Sequence, residues 1–184
     1  MAIFIVSDLH LGHSKDFIYG ARGFESVEDM NETIIRKWNE VVGEEDDVFV
    51  LGDLVMGSLE NVRLLEELNG RIHIVRGNHD VDSRWDFYKE LPNVVEVANS
   101  FYLSYDGYKF YLSHYPTITT RADVGKPLKK CLVNLCGHTH TKDPFEDWGI
   151  GIIYHCEVDA HDCAPVRLED IIADLKQKMS DRAE

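Results

Sequence analysis

Five short apolar runs in this chain each end in a cluster of Asp, His, Asn and Gly. The run from Ala2 ends in Ser7-Asp8-Leu9-His10, the next in Leu51-Gly52-Asp53, and a third in Arg76-Gly77-Asn78-His79-Asp80. Two later runs end in Ser113-His114-Tyr115-Pro116 and Gly137-His138-Thr139-His140. Short apolar runs bounded by turn residues read as buried strands, and helical patterns between such runs mark an α/β chain. In α/β sheets, ligands gather beyond the carboxyl ends of the strands. Five strand ends carrying such side chains therefore argue for one shared site.

The intervening stretches fit that architecture. Residues 28–42 place Met30, Ile34, Ile35, Trp38, Val41 and Val42 at helical spacing, with Gly43 as the stop. Residues 59–68 read as a second helix ending before Gly70, and 168–178 as a closing helix followed by a frayed tail at 180–184. Strands are expected at 48–51, 72–75, 94–98, 131–136 and 150–157. Runs 101–105 and 108–112 flank Asp106-Gly107, a two-residue hairpin signal. The stretch 116–127 reads as a loop placed to lie over a site. No repeat or linker divides the chain, so 1–184 reads as a single domain large enough for a real core.

Composition narrows the function. The net charge of -14 argues against a broad nucleic-acid-binding surface. A small anionic substrate would need local positive charge, which bound cations supply. Cys131, Cys136, Cys156 and Cys163 form no C-x-x-C pair, and the start lacks a basic, apolar leader. No apolar run approaches the roughly 20 residues of a membrane span. These features read as a cytoplasmic protein with reduced cysteines and no membrane association. They do not set an oligomeric state.

The strand ends offer four histidines (His10, His114, His138, His140), two aspartates (Asp8, Asp53) and Asn78. Imidazole, carboxylate and amide donors together suit Mn²⁺, Fe²⁺ or Zn²⁺ better than Ca²⁺ or Mg²⁺. Seven such groups exceed one tetrahedral zinc site and fit two ions sharing a carboxylate at ~3.5–4 Å.

Asp8-x-His10, Gly52-Asp53, Gly77-Asn78-His79-Asp80, His114 and Gly137-His138-x-His140 together resemble the signature blocks of the calcineurin-like metallophosphoesterase superfamily. In size the chain is similar to the compact bacterial and phage phosphoesterases of that superfamily. Those also carry an Arg-x-Phe after the first block, here Arg22 and Phe24, often with proline between them where this chain has Gly23. The resemblance implies a four-layer α/β fold, two mixed β-sheets packed face to face and flanked by helices. It implies that Asp8, His10 and His140 bind one metal, that Asn78, His114 and His138 bind a second, and that Asp53 bridges both. His79 would stand beside the pair as a non-ligand. Asp80 would orient it, a role compatible with a helix N-cap.

The implied reaction is hydrolysis of a small phosphodiester or phosphomonoester by a hydroxide bridging two divalent transition ions, Mn²⁺ foremost with Fe, Zn or Ni as alternatives. Asn78 would help stabilise the non-bridging oxygens and His79 would assist the leaving group. Two residues have open readings. His13 is either a substrate or metal-shell residue or part of a surface loop. Arg22 is either a phosphate clamp or half of a structural ion pair. His155, Cys156, His161 and Cys163 are metal-capable types without zinc-finger spacing and read as structural. The alternative function is a non-catalytic protein-interaction module on the same fold; retention of His79 and every ligand position favours the enzyme.

Overall fold

A computed structural model describes residues 1–121 and 125–182. Its strands are β1 (Ile3–Val6), β2 (Asp47–Val50), β3 (Arg71–Val75), β4 (Val94–Ala98), β5 (Phe101–Tyr105), β6 (Tyr108–Leu112), β7 (Leu132–Cys136), β8 (Ile153–His155) and β9 (Val166–Arg167). The helices are α1 (Asp16–Tyr19), α2 (Val27–Val41), α3 (Asp82–Tyr88) and α4 (Leu168–Asp181). One sheet has the order β4-β3-β2-β1-β9 and the other β5-β6-β7-β8. In the first, only β9 runs antiparallel to its neighbour. In the second, β5 and β6 form an antiparallel hairpin, and β6, β7 and β8 run parallel. Both sheets are mixed, and the fold is α/β.

Strand β1 is apolar throughout, and β2 is apolar after Asp47, because both of their faces are covered. Phe4 and Val6 of β1, with Val48 and Val50 of β2, pack against Met30, Ile34 and Trp38 of α2 and Tyr88 of α3. Ile5 and Phe49 on the opposite face join Phe110, Leu112, Val133, Leu135 and Tyr154 of the second sheet. Leu168, Ile171 and Leu175 of α4 complete that second core. Helix α2 starts where Ser26 Oγ accepts the Asp29 N–H at 3.1 Å, an N-cap. At the hairpin, Asp106 and Gly107 both take positive φ (45° and 78°), as a type I′ turn requires. No helix among the described residues is long and apolar enough to cross a membrane.

Several elements differ from the pattern read in the sequence. The helix expected over 59–68 is a 3₁₀ helix, Leu59–Glu67. Its inward residues Val62 and Leu65, and the C-cap Leu68 after them, are buried three apart, the period of a 3₁₀ turn. The strand expected over 150–157 is only Ile153–His155, because the chain before it turns through Gly149 at φ +112°. Helix α4 continues to Asp181, past the expected fraying point. Residues 183–184 of that tail and 122–124 of the loop 116–127 lie outside the described residues. The described part of the loop runs along β7: Thr119 Oγ1 donates to Leu132 O at 2.6 Å and Thr117 N to Asn134 Oδ1 at 2.7 Å. Thr119 thus pairs at the amino end of β7, away from the carboxyl ends where the polar clusters sit.

Those carboxyl ends meet. Asp8 N donates to Gly52 O at 3.1 Å, His10 N to Asp53 O at 3.0 Å, and Gly137 N to His114 O at 3.0 Å. His138 N donates to Asp8 Oδ2 at 2.8 Å and joins the two sheets at one edge.

Candidate metal centre

Each loop at this edge bends sharply. Asp8 (φ 57°), His10 (52°), Asp53 (55°), His138 (81°) and His140 (54°) all lie in the left-handed region. Asp and His tolerate that region better than bulky residues, yet each such residue still carries strain of order 1 kcal/mol. Strain gathered on adjacent loops is the mark of a functional site. The motif glycines have a second cause. A Cβ at Gly77 would sit 2.2 Å from Asp53 Oδ1, and one at Gly137 would sit 1.9 Å from Ser7 Oγ. Only glycine lets these loops approach the carboxylates they surround.

The sequence-predicted ligands converge. His10 Nε2 faces His140 Nε2 at 3.1 Å, and Asp8 Oδ1 lies 3.7 Å from each. Asp53 Oδ2 lies 3.8 Å from His10 Nε2 and 3.5 Å from His114 Nε2, between the two sides of the centre. Asn78 Oδ1 is 2.8 Å from His114 Nε2. The His138 ring packs on His114 (centroids 5.0 Å apart) and on Tyr115 (4.7 Å). Among the described residues, two groups of His, Cys, Asp or Glu close to metal-ligand range, and both are here: Asp8, His10, His140 and Asp8, Asp53, His114.

The donor set fits cations. Asp8 Oδ2 accepts from Ser7 Oγ at 2.6 Å and from His138 N, whereas Oδ1 is buried with no hydrogen-bond partner. A buried carboxylate oxygen left so costs about 1–3 kcal/mol or more. Facing two ring nitrogens, it completes a set of lone pairs that a divalent ion satisfies. Asp53 behaves alike: Oδ1 accepts from His79 N at 2.8 Å, and Oδ2 points into the centre.

Electrostatics prepare these groups for coordination. Burial opposes ionisation of Asp8, but the imidazoles of His10 and His114 and the Ser7 hydroxyl outweigh it and hold the carboxyl below its usual range. Burial holds His10 below the ordinary imidazole value despite Asp8, and burial and His114 do the same for His138. A neutral imidazole is the ligating form. His140 is raised instead, chiefly by its hydrogen bond to Asp159.

The other candidates fall around this centre. His79 is exposed, with its ring 5.6 Å from that of His10. His13 stands 5.7 Å from the same ring and lines a cleft of about 320 Å³ with Lys15, Phe17 and Met56. Asp80 does not hold the His79 ring. Its Oδ2 accepts from Asp53 N and Gly77 N, each at 2.8 Å, and its Oδ1 from Tyr88 Oη at 3.0 Å. The N-cap of α3 is Val81, without a side-chain bond, so Asp80 clamps the Asp53 loop to the Gly77 loop.

The guanidinium of Arg22 is turned inward, onto Asp159 and the Asp8 and Leu9 carbonyls. This is the ion-pair geometry, not the phosphate-clamp one. His155 is buried between Glu157 and Asp147, 3.1 Å from each. Glu157 in turn accepts from Thr139 N and Oγ1, at 3.2 and 3.0 Å, which fixes the turn between His138 and His140. Sequence reading missed Asp159, Glu157 and Tyr88.

The model of the calcineurin-like phosphoesterase superfamily domain matches residues 1–159. The chain belongs to that superfamily. Similar proteins include an uncharacterized protein of Methanocaldococcus jannaschii, 40% identical over 117 residues that cover 62% of this chain and 58% of the relative. The chain thus spans little more than half of that relative's length. The Gene 66 protein of Mycobacterium phage L5 is 26% identical over 73% of this chain and 75% of its own. Among solved structures, a protein of unknown function from Aquifex aeolicus superposes with a TM-score of 0.70 at 22% identity, over 94% of this chain and 98% of that one. That likeness supports the two-sheet fold.

Proposed function

We propose that this phosphoesterase-family chain hydrolyses a small phosphodiester or phosphomonoester at a centre of two divalent transition ions. Asp8, His10 and His140 would hold one ion, Asn78, His114 and His138 the other, and Asp53 both. The observation that carries the reading is the placement of Asp53 Oδ2 between His10 and His114, beside the unpartnered, buried Asp8 Oδ1. When bound, such ions attract the substrate's oxygens and acidify a water enough to ionise near neutral pH. The mixed nitrogen and oxygen donors suit Mn²⁺, Fe²⁺, Zn²⁺ or Ni²⁺, and Mn²⁺ is the ion the family resemblance puts foremost. This also resolves the charge problem of a chain at -14 that must attract an anion.

The protein's own groups do the rest. The Asn78 amide offers a donor toward the non-bridging oxygens. His79 is exposed, adjoins the centre and keeps its side chain out of both ligand groups, so its ring can give a proton to the leaving oxygen. Its backbone is fixed at both ends: N–H to Asp53 Oδ1, and C=O to Arg84 Nη2 at 2.7 Å. The cleft beside His13 and the open surroundings of His79 suit a small ester. Metal-free protein titrated with Mn²⁺ should gain turnover on chromogenic mono- and diesters in step with bound ion. Fully loaded protein that turns over none of them would overturn the reading and favour an interaction module.

A further inference from the structure

We propose that Arg22 and Asp159 are a positioning pair that aims His140 at its ion and makes the Asp8–His10–His140 half the tighter of the two cation sites. The inference rests on the two-ion reading of the centre.

Arg22 grips both oxygens of Asp159, Nε to Oδ1 at 3.0 Å and Nη2 to Oδ2 at 2.9 Å. The same guanidinium donates to Asp8 O at 2.7 Å and Leu9 O at 2.9 Å. Its side chain is 3% exposed and that of Asp159 is 10% exposed, so solvent does not compete for this fork. One planar group therefore locks the β1 loop, which carries two ligands, to the segment after β8. Lysine has the charge but not the fork.

Asp159 passes this order on. Its Oδ2 takes the Nδ1 proton of His140 at 3.1 Å, which leaves Nε2 as the lone pair facing His10 and Asp8. A carboxylate on the far nitrogen fixes tautomer and ring plane and makes the imidazole a better donor. The bond reaches a loop whose His140 backbone sits at φ 54°. Within this half His140 alone has such support, since His10 Nδ1 is buried with no partner. Among the described residues the other half has no carboxylate in that role: His114 Nδ1 donates to the neutral Leu51 carbonyl at 2.8 Å, and Asn78 is exposed.

The turn that delivers Arg22 runs through Gly23. Gly23 has φ +88° and donates its N–H to Gly20 O at 3.0 Å. A proline there could adopt neither feature.

The test is Mn²⁺ binding by calorimetry on the full metal-free chain, with ¹⁵N NMR of the histidine rings and circular dichroism as the folding control. Wild type should bind two ions with distinct affinities. Asp159→Asn and Arg22→Ala should weaken the tighter step about 10–100-fold, leave the weaker step in place, and shift the His140 Nδ1 resonance. Arg22→Lys should recover part of the loss. Folded variants that weaken both steps equally, or neither, would overturn the pair. If wild type binds two unequal ions and cleaves no ester, the proposed reaction falls while the pair stands. If it cleaves esters and Asp159→Asn changes no binding step, the pair falls while the reaction stands.

Discussion

His140 and His114 each present Nε2 to the centre, but their Nδ1 atoms end on different partners. For His140 the partner is a half-buried carboxylate gripped by a guanidinium; for His114 it is a backbone carbonyl. One side is thus held by charge drawn from two distant parts of the chain. The other is held by neutral bonds and by rings leaning on one another. Carboxylate support strengthens a metal-binding imidazole and neutral support does so less. On the two-ion proposal, the same residue types would build a firm half and a pliant half, with Asp53 and Asp8 at their border.

The border carboxylates give the largest test. Asp53→Asn should abolish turnover and strip both ions on dialysis, because one oxygen serves both halves. Asp8→Asn should empty chiefly the firm half. Both groups at metal-ligand range include Asp8. If metal analysis finds that Asp8→Asn empties both sites and Asp53→Asn only one, the two aspartates exchange roles. His79→Ala comes next: turnover should fall by about 10²–10⁴ with both ions retained. Loss of an ion would make His79 a ligand.

Asp159→Asn tests the firm half through stability. It leaves the Arg22 guanidinium buried without a carboxylate, at a cost of about 3 kcal/mol near pH 7 in metal-free protein. Burial would raise the Asp159 carboxyl, but His140 and Arg22 hold it far below the ordinary range. Its stabilisation is therefore complete above the unfolded value near 4 and is lost as pH falls toward the folded one. Urea unfolding should show the wild-type advantage over Asp159→Asn shrinking from pH 4 to pH 2; a constant gap would contradict the assigned ion pair. The smallest effect is at the clamp between the Asp53 and Gly77 loops. Tyr88→Phe removes one bond to Asp80 and should cost about 1 kcal/mol in a melting experiment, with metal binding unchanged.

The residues that converge here were legible because their chemistry is rare at strand ends and their glycines are forced by close approach, as at Gly77 and Gly137. Asp159 was not legible. It is one of 33 acidic residues and has no motif, and the rule that a ligating imidazole takes a carboxylate, carbonyl or water on its far nitrogen singles out no acid. Arg22 had two readings in sequence, and burial chose between them. Asp80 was misread because its place beside His79 along the chain says nothing of where its oxygens point. The 59–68 helix was legible as helical, but apolar residues spaced three apart fit α and 3₁₀ turns alike over so short a stretch. Apolar runs at 3–6 and 48–50 marked strands covered on both faces, but the division into two packed sheets came only from the resemblance of the motif blocks.

Electron paramagnetic resonance of the chain loaded with two equivalents of Mn²⁺ tests the shared centre most directly. Two ions about 3.5–4 Å apart on one carboxylate give an exchange-coupled spectrum, and Asp53→Asn should remove that coupling. A spectrum of isolated ions alone, in fully loaded wild-type protein, would contradict a paired centre.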